Sequence, residues 1–165
     1  MNQWTRVVLV LSTLPLLGCP YDSPTPVADA STRPLDTRLA GDWRCVGPKD
    51  KEAVVLRFAA ISPVELEVDQ VGADKPNPFR LHSGTLDGAP VLNLEDRNPD
   101  DKNKWALGRY TFLRPNVVHF ELAREEPFKA APAGTKPAET ASKALARSDL
   151  FADYCVCIRA EEEKR

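Results

Sequence analysis

From about residue 39 onward, apolar and polar residues alternate in short runs broken by turn formers. Val64, Leu66 and Val68 alternate with Glu65, Glu67 and Asp69, which is the two-residue period of a half-buried strand. Val54, Leu56 and Phe58 precede this run, and Phe79 and Leu81 follow it, alternating with Arg80 and His82. Asp87-Gly88 predicts a tight hairpin, because a type I′ turn needs positive φ at both central residues. Val91-Leu92-Asn93-Leu94 makes the next strand, and Asn98 to Asn103 reads as a loop. Trp105 to Leu113 and Val117 to Leu122 then flank Arg114-Pro115-Asn116, another short connection. Between Ala130 and Leu150 the period changes. A low-complexity loop (Ala131 to Pro137) leads to a short helix capped by Ser142 and containing Leu145. Asp153 to Arg159 forms the last strand.

About eight strands with short links predict an all-β, mainly antiparallel domain, a meander barrel with one short helix before the last strand. A β-sandwich gives the same alternation and stands as the alternative.

The residues before this domain have another character. Met1 to Arg6 carries a positive start, and the apolar run from Val7 to Leu17 is well short of the ~20 residues of a membrane span. The run ends in Leu16-Leu17-Gly18-Cys19, which resembles the lipobox of bacterial lipoproteins. That resemblance implies a signal peptide over 1–18, cleavage before Cys19, and acylation of Cys19 with palmitate-like chains. Pro20 rather than aspartate follows, which by the same resemblance implies the outer membrane of the cell envelope. Residues 20–38, rich in Pro, Ser, Thr and Asp, read with Cys19 as a lipidated, disordered tether, a random coil reaching roughly 25 Å. The folded domain is expected over 39–160, and 161–165 as a solvated charged tail.

Without Arg6 the mature chain keeps 21 basic residues against 24 acidic ones, a net charge of −3. That balance excludes an electrostatic footprint for nucleic acid. No nucleophile–base pattern, phosphate loop or metal-hydrolase motif is visible, so no enzyme activity and no cofactor are expected.

The cysteines carry the candidate chemistry. With Cys19 assigned to lipid, Cys45, Cys155 and Cys157 remain in an oxidising compartment, where thiols pair. Positions two apart on a strand are about 6.6 Å apart, too far for Cys155 to bridge Cys157. In an eight-stranded meander the first and last strands meet antiparallel, so Cys45 pairs with Cys155 or with Cys157. A soft-metal site on Cys45, Cys155 and Cys157, with His82 or His119 as a further ligand, is the less favoured reading.

Leu39-Ala40-Gly41-Asp42-Trp43 resembles the Gly-x-Trp that opens the lipocalins and related small barrels. The domain is short for that family, and the family's Thr-Asp-Tyr motif is missing. The resemblance implies a tryptophan plug at one barrel end, Trp43, under an arginine from late in the chain, Arg159. Facing residues of an antiparallel pair have a constant sum, and setting Trp43 opposite Arg159 sets Cys45 opposite Cys157. The implied bridge is therefore Cys45–Cys157, with Cys155 reduced. This register turns Tyr154, Val156 and Ile158 outward, where the helix with Leu145 is expected to cover them. Taken whole, the pattern also resembles small outer-membrane lipoproteins of unassigned function, with a Trp-x-Cys first strand and a Cys-x-Cys last strand. The expected role is a membrane-anchored structural or protein-interaction module with an envelope protein partner. The alternative is a lipocalin-like binder of a small hydrophobic ligand.

Overall fold

The computed structural model describes residues 20–73, 78–98 and 104–160. The expected signal peptide, the lipidation site Cys19, most of the loop at 98–103 and the charged tail lie outside the described residues. Ten strands form one sheet: β1 (Asp22–Ser23), β2 (Asp29–Ala30), β3 (Gly41–Val46), β4 (Val54–Ser62), β5 (Glu65–Gln70), β6 (Phe79–Leu86), β7 (Ala89–Asp96), β8 (Trp105–Arg114), β9 (Val117–Ala123) and β10 (Phe151–Arg159). From β3 to β10 each strand pairs antiparallel with the next, and β10 returns to pair with β3. Strands β3 to β10 make a closed eight-stranded meander barrel, not a sandwich, and β1 and β2 pair onto β8 and β6 of its wall. Closure leaves none of its eight strands with an unpaired edge.

The alternation read from the sequence sorts side chains between two layers. Trp43, Cys45, Phe58, Leu66, Val68, Leu81, Leu92, Val118, Phe120 and Cys157 point inward and make one core. The hairpin at Asp87-Gly88 forms as expected, with φ of 50° and 78°.

The second core lies outside the barrel wall. There Val91 and Leu107 are covered by Val27, Ala28, Leu150 and two helices, α1 (Glu126–Lys129) and α2 (Pro137–Ala146), the latter contributing Ala141 and Ala144. This corrects the disordered tether expected over 20–38. Val27, Ala28 and Leu35 are buried, β1 pairs with β8, and β2 pairs with β6. Asn93 holds the crossing segment by accepting from the Ala28 N–H (3.1 Å) and donating to the Ala28 carbonyl (2.9 Å). Composition misleads here because three well-placed apolar anchors and a few backbone bonds offset the ordering entropy of a polar segment. The folded unit therefore begins before residue 39.

Two further expectations change. The helix before the last strand starts at Pro137, not at Ser142, because proline at the first helical position is pre-set for the turn and loses no bond. That helix covers the Val91–Leu107 wall rather than β10, so Ile158 is left 53% exposed and Tyr154 47% exposed. The register nevertheless stands without that cover, since Cys157 pairs with Cys45 and Arg159 with Trp43. Among the described residues, no helix is long and apolar enough to cross a membrane.

Candidate functional site

The chemistry gathers at the seam where β3 meets β10. Inward positions on two antiparallel strands recur every second residue, so Trp43 and Cys45 line up with Arg159 and Cys157 inside the wall. Cys45 and Cys157 form a disulfide that joins the first barrel strand to the last, 112 residues apart. Cys155 is the free cysteine of the three, buried, with its Sγ 3.7 Å from Cys157 Sγ. Burial, helped by the negative charge of Asp50, pushes the Cys155 thiol up to about 12. Attack on a neighbouring disulfide requires the thiolate, so the barrel interior holds Cys155 as an inert thiol beside the bridge.

The end of the barrel at Gly41 is closed by cationic and aromatic groups in layers. Arg159 Cζ lies 4.4 Å from the centroid of Trp43, and its guanidinium donates to the carbonyls of Ala40 (3.1 Å) and Arg38. Trp43 Nε1 donates to the Leu39 carbonyl at 2.8 Å, and Arg38 lies 4.0 Å over Phe112. Leu35 and Leu39 complete the lid, both buried against this core. Gly41 is required at the entrance: its φ is +124°, and a Cβ there would sit 2.6 Å from Arg159 Nη1.

The three sulfurs lie within 4.8 Å of one another, and this cluster contains neither histidine. A soft cation there would require reduction of the bridge and loss of three protons inside an apolar core, a desolvation cost that opposes it. The structure brings Cys45, Cys155 and Cys157 together but places both histidines in other networks. His119 pairs with Asp153 at 3.1 Å. His82 stands between Glu65 and Glu95, with Nδ1 and Nε2 each 3.1 Å from a carboxylate oxygen, and its ring is 5.3 Å from Trp105.

That bridge across β5, β6 and β7 escapes sequence reasoning, because it needs the registers of three strands together. Burial alone would raise the Glu95 carboxyl, but hydrogen bonds from Arg97 and His82 prevail and hold it below the usual range. A second cross-strand pair, Arg109 to Glu121, is bidentate at 2.6 and 2.8 Å, and Arg109 keeps Glu121 low.

The barrel interior offers little room for a guest. The void among Leu56, Phe58, Phe79, Leu81, Leu92 and Phe120 holds about 30 Å³ of water-accessible space. Small-molecule sites run to about 300–1,000 Å³. Compared with known proteins, this chain matches no family model, no curated protein and no solved structure.

Proposed function

We propose that this chain is a lipid-anchored envelope module without catalytic activity, which binds an envelope protein partner through its outer surface. The observation that carries this reading is the filled interior, where packed side chains stand in the space a barrel-type carrier keeps for its ligand. The anchor is Cys19, read from Leu16-Leu17-Gly18-Cys19, and Pro20 directs the protein to the outer membrane. The partner-facing side is the uncovered wall beside the seam. Val46, Leu113 and Ile158 are exposed there, at wall positions outside the core that the two helices cover. Exposed apolar residues rimmed by polar ones mark contact surfaces.

Native mass spectra of the protein released from membranes in mild detergent test the choice between module and carrier. The expected spectrum shows the acylated chain alone, and a retained apolar small molecule would overturn the reading. Photo-crosslinking residues placed at Leu113 and Ile158 should capture one defined protein that the same residue at Lys143, on α2, does not. Equal capture at the two places would reject the uncovered wall as the contact surface.

A further inference from the structure

The acylated residue proposed above has no spacer behind it. Pro20 already bridges to Arg124 at the end of β9, and the Tyr21 N–H donates to the Ala123 carbonyl at 2.9 Å. The Tyr21 ring stacks on Phe128 at 3.6 Å, and Ser23, buried, pairs with Trp105 at the start of β8. The chain is thus fixed to the barrel from Pro20 onward, and Cys19 is the residue bonded directly to Pro20. A lipid attached at Cys19 therefore emerges at one pole of the barrel, where β3 turns at Gly47, β9 ends and β10 begins.

Several side chains at this pole, though not its carboxylates, are of the kinds found at headgroup depth. A surface groove of about 320 Å³ beside Pro20 is lined by Pro48, Lys49, Leu122, Arg124 and Tyr154, together with the carboxylates of Asp50, Glu126 and Asp153. A neighbouring groove is shared by Tyr154 and Trp105. Aromatic rings with a polar tip, and cations on long apolar stems, partition to the membrane–water boundary. The Trp43–Arg159 lid closes the opposite pole.

We propose that the pole bearing Pro48, Lys49, Arg124, Tyr154 and Trp105 rests directly on the lipid headgroups, so that the barrel stands on the membrane with its Trp43 end pointing away. This rests on the reading of Cys19 as acylated. It also leaves the uncovered wall at Leu113 and Ile158, toward the Trp43 end, away from the bilayer and open to a partner.

Tryptophan emission reads the orientation, because the chain after residue 18 contains only Trp43 and Trp105. The full protein, purified with its anchor, is placed in vesicles of phosphatidylethanolamine and phosphatidylglycerol whose acyl chains are brominated near the carbonyl. The expected result is marked quenching of the native protein and its loss in Trp105→Phe, where buried Trp43 is the remaining emitter. Equal quenching of the two proteins, or none in either, would overturn the proposal. Intact mass of the same sample separates the causes. An anchored protein without Trp105 quenching rejects the orientation alone, whereas a chain without acyl groups rejects the lipoprotein reading and the orientation with it.

Discussion

Arg159 lies across the face of Trp43, one inward position along the seam from the bridge between Cys157 and Cys45. The two contacts share one register: slipping β10 by a single residue would turn both pairs to the other face of the wall. A covalent tie and a cation–π lid therefore secure the same strand pairing, the one that turns a meander into a closed barrel.

Arg159→Ala removes the cation from Trp43 and leaves the Ala40 carbonyl without its donor. It should cost about 1–3 kcal/mol, combining the ring contact with the lost charged hydrogen bonds. Arg159→Lys should recover little, since a single ammonium cannot cover the ring and reach two carbonyls together. Gly41→Ala should destabilise as well, through backbone strain and the clash with Arg159. Urea unfolding of the three variants against the parent measures each effect, and an Arg159→Ala protein as stable as the parent would remove the lid from the account.

Cys45→Ala and Cys157→Ala open a loop of over a hundred residues and should each lose about 4–5 kcal/mol on the chain-entropy model. Cys155→Ala keeps the bridge and should lose about 1 kcal/mol of buried sulfur contact. Thermal melts with and without reductant separate the classes: reductant should lower the midpoint of the parent and of Cys155→Ala, and leave Cys45→Ala unmoved.

Asn93→Ala strands both backbone groups of Ala28 beneath the N-terminal segment and should cost about 1–3 kcal/mol. Limited proteolysis should then cut within 20–38 faster than in the parent. Unchanged cleavage would mean the segment is not held by that contact.

Glu121 and Glu95 have folded-state carboxyl pKa values depressed below 4.5, held down by Arg109 for the first and by Arg97 and His82 for the second. A depressed carboxylate adds stability above its unfolded pKa and loses it as pH falls through the lower folded value. These pairs therefore contribute fully at neutral pH and fade below about 4.5. They lie at the surface, so salt should shrink the effect. Glu121→Gln should flatten the acid limb of a stability–pH profile while changing its slope near pH 7 little.

Much of the barrel is legible in local pattern. Alternation marks the wall strands, Asp87-Gly88 marks a hairpin, and the facing sum that aligns Trp43 with Arg159 is the one that bridges Cys45 to Cys157. What escapes is structure whose signal is not periodic. Strands β1 and β2 are two residues long, too short for any period, and Val27 and Leu35 are isolated among prolines and polar residues. Asn93, a buried amide between Leu92 and Leu94, is in hindsight the mark of a covering segment. Tyr154 sits at a register shift between Asp153 and Cys155, and irregular pairing of that kind has no signature in a single strand. The helix start at Pro137 was written in the sequence but is easily taken for the end of a loop.

The clamp on barrel closure is tested most directly by peptide mapping of the full chain made in an oxidising envelope, with free thiols alkylated under denaturing conditions before digestion. The account predicts one cross-linked peptide pair joining Cys45 to Cys157 and an alkylated Cys155. A Cys45–Cys155 pair, or alkylation of all three, would contradict it.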